Sequence, residues 1–408
     1  MAARSIRAVA PLRQSDTDAC PGALRLHAAA DGLLARVRLP AGELTGVQLG
    51  ALRELTERFG DGFLELTSRA NFQVRGVKAE DAETLATHLR AAGLLPSATH
   101  DSVRNIAAPP LADPRIRALT RSLDAAILGD PGLPRLPGKF LFAIGHVPLA
   151  ADVSAVPVDA LFTIRLAGHD TGLRVPADRV VESLIAAAHA FLTERGSGTA
   201  WRLRELADGP ARVSARVSQA LGLTAGDVAA AAPVDTLDPG DLLGVLDQPG
   251  SPLVSAGALV PLGRLGGVPM KVLEKAGRLV VTPWRGILVT DLARDAAASW
   301  TDRLAGAGLA TEADSPWVGV TACAGRPGCA KSLADVRADA TETSRFADGL
   351  PVHWAGCDRA CGSPAGRHVL VLATAQGYQV GHSGATTHDV TGAPVSQLGD
   401  LVAEARRV

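Results

Sequence analysis

The sequence predicts an α+β protein built on an internal duplication. Three observations carry this: a self-similar segment, strand and helix periodicities alternating within each copy, and four clustered cysteines near the C-terminus. Gly62-Phe-Leu-Glu-Leu-Thr67 corresponds to Gly277-Arg-Leu-Val-Val-Thr282, and 215 residues separate Thr67 from Thr282. The register continues without a gap through Val74 and Val289, Ala82 and Ala297, Leu89 and Leu304, to Ala92-Gly93-Leu94 and Ala307-Gly308-Leu309. Duplication accounts for this better than chance.

Within each copy, alternating apolar residues predict a strand, over Phe63 to Val77 and over Arg278 to Leu292. An amphipathic helix follows, in the first copy from Glu80 to Ala92 with Gly93 as its stop. Upstream, Leu33 to Leu39 reads as a strand and Thr45 to Phe59 as a helix, so the first copy is β-α-β-α. Proline-rich connections fall at Ala107 to Pro110, Pro131 to Pro137, and Leu237 to Pro252. Between them, Lys139 to Gly145 and Ala160 to Ala167 read as strands and Arg179 to Glu194 as a helix. Val369 to Thr374 and Tyr378 to Gly381 suggest a closing hairpin.

Of 408 residues, 47% are hydrophobic and 20% charged, which fits two or three globular domains. No apolar run reaches the roughly 18–20 residues of a membrane span. The first residues are basic without an apolar signal core, so a flexible terminus over 1–19 and a cytoplasmic location are expected. A net charge of −1 argues against a general nucleic-acid binder.

The chemistry is announced by Cys323-x5-Cys329 and Cys357-x3-Cys361. Four thiolates from two neighbouring segments suit a [4Fe–4S] cluster. Structural zinc more often pairs cysteines two to four residues apart, and disulfides need an oxidising compartment. Each pair is expected at a strand end and the first turn of a helix. Cys20 reads as a lone, partly buried thiol.

Leu66-Thr-Ser-Arg-Ala-Asn-Phe-Gln-Val-Arg-Gly76, together with the cysteine spacing, resembles the sulfite/nitrite reductase superfamily. The resemblance implies a pseudo-two-fold fold. Ferredoxin-like half-domains would span 20–96 and 250–312, a first tetrapyrrole-binding α/β domain 97–249, and a second, cluster-bearing one 313–408. Cys20-Pro-Gly-Ala-Leu24, Thr282-Pro-Trp-Arg-Gly286 and His353-Trp-Ala-Gly-Cys-Asp-Arg-Ala-Cys361 resemble the branch that oxidises precorrin-3A to precorrin-3B in aerobic cobalamin biosynthesis. Arg38, Arg104 and Lys139 match basic catalytic positions of the sulfite reductases, whereas the second lysine of their pair falls on Leu141. That loss of charge suits a site that does not reduce a small oxyanion.

The resemblance therefore implies an O2-dependent monooxygenase that hydroxylates C20 and closes a γ-lactone. Arg69, Asn71, Gln73, Arg75, Asn105 and Arg285 would bind the carboxylate-rich tetrapyrrole. Besides the cluster, a mononuclear non-haem iron is implied, for which His146, His353 and His382 are candidates. His353 alternatively donates a hydrogen bond near the cluster. No dinucleotide fingerprint is present, so NADH would act through a separate reductase. The alternatives are a siroheme-dependent sulfite or nitrite reductase, in which Cys361 would also bridge to siroheme iron, and a simple iron–sulfur electron carrier.

Overall fold

A computed structural model describes residues 20–224, 226–231, 238–364, 366–383, 388–391 and 395–407, so the expected flexible terminus over 1–19 lies outside the described residues. The chain divides into two compact units, one containing Ser102–Pro109 and Arg115–Asp235, the other Pro21–Asp101, Pro110–Pro114 and Thr236–Val408. The described residues form four five-stranded sheets, three of them in the larger unit.

Two of those three sheets are the repeat copies. One runs His27–Ala29, Gly32–Val37, Phe72–Val77, Phe63–Leu66 and Arg264–Gly266; the other runs Gly244–Asp247, Val254–Leu259, Gly286–Leu292, Arg278–Val281 and Glu43–Leu44. The last strand of each sheet is lent by the other copy: Leu265 pairs with Leu64, and Leu44 with Leu279. The crossovers are the turns Pro40–Gly42 and Pro261–Gly263, where Ala41 and Leu262 both adopt left-handed φ, 54° and 51°. The copies share one core, in which Leu49, Leu52, Phe72 and Val74 join Leu265, Met270, Leu279 and Val289.

The expected strand from Phe63 to Val77 is two antiparallel strands joined by a turn, because Ala70 takes φ 56°. Helix Gly46–Phe59 starts on a reciprocal cap between Thr45 and Gln48. Its counterpart Gly267–Leu273 has 7 residues against 14, which explains why the constant register begins only beyond it. Gly46 is required here, since a Cβ would lie 2.2 Å from the Ala276 carbonyl oxygen. Helices Ala82–Ala91 and Arg294–Gly306 both stop before a left-handed glycine, Gly93 and Gly308.

The larger unit's third sheet runs Val320–Ala322, Val352–Ala355, Val369–Thr374, Gly377–His382 and His388–Thr391, with parallel pairing among the first three and antiparallel after. The smaller unit's sheet, Ile106–Ala107, Phe142–Ile144, Val153–Val158, Leu161–Leu166 and His169–Val175, has the same sequence of pairings. The duplication thus extends beyond the segment where sequence similarity shows it. No helix among the described residues is long and apolar enough to cross a membrane.

Candidate functional site

The cysteines follow the first two parallel strands of the larger unit's third sheet. Ligands of α/β sheets gather at such carboxyl ends. Cys323 extends the strand pairing by donating its N–H to the Trp354 carbonyl at 2.9 Å, and its Sγ accepts the Gly356 N–H at 3.2 Å. The loops are tied again by Leu333 N–H to the Gly356 carbonyl, 2.8 Å. Gly356 must be glycine, because a Cβ there would meet Ser332 Oγ at 1.8 Å.

Neither cysteine pair starts a helix, contrary to the expectation. After Cys323 the chain turns through Gly325 at φ 66°, and the next helix begins only at Val336, capped by Asp335. After Cys357, Ala360 at φ 39° and Gly362 at φ 89° break any helical path. The turns leave Cys323, Cys329 and Cys357 partly buried and Cys361 exposed, all four as free thiols.

These residues fit a cubane cluster. One sulfur already receives a backbone N–H, as cluster sulfurs do. Among the described residues no three His, Cys, Asp or Glu side chains gather to hold a single metal ion. The mononuclear iron expected beside the cluster finds no ligand set among the described residues. His146 lies in the smaller unit, while His382 Nε2 meets the Ala405 carbonyl at 3.0 Å. His353 is fully buried on the strand before Cys357. Its Nδ1 pairs with Thr321 Oγ1 at 2.8 Å, and the ring also interacts with the Cys361 backbone. Burial, reinforced by Arg285 and His368, pulls its pKa down to about 3, so it is neutral at ordinary pH.

The first repeat sheet turns a polar face to these loops. Arg75, 7% exposed, grips Asp31 through Nε and Nη2 at 2.8 and 2.9 Å and gives Nη2 to the Gly328 carbonyl at 2.8 Å. Arg337 joins the Cys323 carbonyl, 3.1 Å, to Glu65, 2.6 Å. Arg285 sits in a left-handed conformation, φ 62°, and its Nη2 reaches the Gly362 carbonyl at 3.5 Å. The turns Thr67–Asn71 and Thr282–Gly286 are built alike: each threonine Oγ1 accepts the closing N–H, from Asn71 and Gly286, at 3.0 Å. Arg285 therefore occupies the place of Ala70. Asn71 Oδ1 accepts the Leu39 N–H, 2.8 Å, and Arg69 is half-buried on the turn. Gln73 pairs with Glu65 across the sheet. Arg38, 2% exposed, binds the Pro21 and Asp101 carbonyls.

The remaining expected residues lie in the smaller unit. Arg104 makes a two-pronged pair with Asp124, 2.8 and 2.7 Å. Asn105 Nδ2 holds the Gly138 carbonyl at 2.9 Å, which places Lys139, whose Nζ lies 4.9 Å from the Trp201 ring centre. Leu141 is buried, and its N–H is fixed by Asp152 at 2.9 Å. Sequence reading missed Asp31, Glu65 and Arg337. Glu65 left a trace as a polar residue in an alternating strand; the other two left none.

Residues 27–92 match the nitrite/sulfite reductase ferredoxin-like half domain. A ferredoxin–nitrite reductase from Synechococcus elongatus is 30% identical, aligned over 81% of this chain and 74% of its own. A precorrin-3B synthase from Sinorhizobium is 27% identical over 94% of this chain and 88% of its own. The Mycobacterium tuberculosis NirA protein superposes with a TM-score of 0.70, covering 90% of this chain and 79% of that one at 20% identity, which establishes a common fold. The duplicated sheets and these relatives lead to one conclusion: the chain belongs to the nitrite and sulfite reductase family of oxidoreductases, and precorrin-3B synthase is among its homologues.

Proposed function

We propose that this enzyme oxygenates precorrin-3A to precorrin-3B, with a [4Fe–4S] cluster on Cys323, Cys329, Cys357 and Cys361. The observation that carries the reading is extent. The precorrin-3B synthase aligns along nearly the whole of both chains, while the cyanobacterial nitrite reductase continues well beyond the aligned part. Leu141 adds to it, since a buried leucine offers an oxyanion no charge.

In the net reaction one oxygen atom of O2 enters the substrate and the other leaves as water, consuming two electrons and two protons. The double bond between C20 and the neighbouring ring A carbon is spent: C20 takes the oxygen as hydroxyl, and a ring A carboxyl, giving up its proton to that oxygen, bonds to the ring carbon and closes the lactone. The cluster, when bound, supplies one-electron transfer; a separate donor, NADH-linked or ferredoxin-like, refills it. Arg69, Gln73 and Arg285 bind substrate carboxylates and edges, Arg285 with the part of its fork not given to the Gly362 carbonyl. Arg38, Asn71, Arg75, Arg104 and Asn105 already hold backbone or carboxylate partners and act by fixing the turns and the Lys139 segment.

The test is turnover of precorrin-3A under 18O2 with a reduced donor. One labelled oxygen in the product supports the reading; label entering only from water, or no product, overturns it. The second reading, a siroheme nitrite reductase, is favoured by the 30% identity to the cyanobacterial enzyme and requires bound siroheme and nitrite consumption.

A further inference from the structure

Glu65 lies in a polar row across the first repeat sheet, in register with Gln73 on one side and Arg264 on the other, with Arg36 beyond Gln73. Its side chain is 12% exposed. Oε1 accepts from Arg337 Nη2 at 2.6 Å and lies 3.9 Å from Arg75 Nε, and its charge acts on Arg285. These three arginines share a second property. Each donates to a backbone carbonyl at a cysteine or beside one: Arg337 to Cys323, Arg75 to Gly328, Arg285 to Gly362. One carboxylate thus pairs with one of three cations that donate to the cysteine loops, lies 3.9 Å from the second and acts on the third through its charge alone.

Arg75 has a carboxylate of its own in Asp31, but Arg337 pairs with Glu65. Reduction adds a negative charge to a cluster already bearing four thiolates. Neighbouring guanidiniums favour the reduced form, and a carboxylate among them opposes it. We propose that Glu65 is the positioning residue that sets the reduction potential of the cluster, holding Arg337 in place and offsetting the charge of the three guanidiniums. This rests on the assignment of the four cysteines to a [4Fe–4S] centre.

The experiment is a redox titration followed by electron paramagnetic resonance on the anaerobically purified full-length holoenzyme, with iron and sulfide counted for each variant. Glu65→Gln keeps a hydrogen-bonding side chain and removes the charge. It should raise the reduced-to-oxidised ratio at fixed poise about tenfold, ~59 mV for a one-electron couple. Arg337→Gln should shift the ratio the opposite way, a sign reversal that general loosening of the loops would not produce. Glu65→Asp, which keeps the charge, should stay near the parent value and serves if Glu65→Gln loses its cluster. An unmoved midpoint in Glu65→Gln with full iron overturns the inference, as does a shift of the same sign in Arg337→Gln, or one as large in Glu65→Asp. A parent enzyme without iron and sulfide would instead overturn the cluster assignment.

Discussion

Replacing Gly356 by alanine puts the cluster loops to a direct test. The added Cβ would lie 1.8 Å from Ser332 Oγ, 2.8 Å from its Cβ and 3.3 Å from its Cα. Ordinary contact between such atoms is about 3.4 Å or more. Rotating the serine side chain removes the first clash and leaves the second, so the backbone must yield by roughly half an ångström. Two bonds share that backbone, the Gly356 N–H to Cys323 Sγ and the Leu333 N–H to the Gly356 carbonyl. Overpacking of this kind costs about 1–3 kcal/mol. The effect concentrates on the geometry of the four cysteines proposed to hold one cubane. Iron and acid-labile sulfide per chain after anaerobic purification should therefore fall by more than half in Gly356→Ala. Ser332→Gly in the same chain removes the obstructing atoms and should restore most of the iron. Full iron content in Gly356→Ala, or no recovery in the double variant, would refute the claim that the Ser332–Gly356 contact holds the cysteine loops in place.

Three further outcomes follow from particular residues. Arg285→Gly relieves a left-handed non-glycine residue and removes the fork proposed to bind substrate, so thermal stability should hold while tetrapyrrole affinity falls roughly ten- to a hundredfold; unchanged affinity in a binding titration contradicts its role. Arg202→Met strands the buried Asp152 carboxylate, which lies 2.7 Å from Arg202 Nε, and should cost about 3–5 kcal/mol in denaturant unfolding. Restoring neutrality with Asp152→Asn should recover part of it. Burial pushes the Asp130 carboxyl up, but hydrogen bonds from His189 and the Gly132 N–H outweigh it and hold the carboxyl below its usual range. A depressed native value stabilises above the unfolded pKa and is lost as pH falls through the native one. Asp130→Ala should thus cost about 1 kcal/mol at pH 7, a difference narrowing below about pH 4; a pH-independent deficit would contradict this.

The repeat register, the strands with alternating apolar residues and the cysteine positions were legible because periodicity and spacing encode them locally. The exchanged strands Glu43–Leu44 and Arg264–Gly266 were not, since two or three residues carry no period and their pairing partners are far off in sequence, Leu279 for Leu44 and Leu64 for Leu265. The break inside Phe63 to Val77 hid behind continuous apolar alternation, with Ala70 bearing the left-handed turn that glycine usually marks. Cys-x3-Cys suggested a helix by its spacing, but the turns at Ala360 and Gly362 decide otherwise. In the site, the arginines were visible as residue types and their partners were not. Nothing in spacing links Arg75 to Gly328 or Arg337 to Glu65, which are joined only by the fold.

The central claim is tested most directly by the absorption spectrum of the anaerobically purified enzyme, read with its iron and sulfide content. The account predicts broad iron–sulfur absorbance with four irons and four sulfides per chain and no siroheme Soret band. A siroheme band, with nitrite consumed on addition of a reduced donor, would contradict it and make this chain an oxyanion reductase.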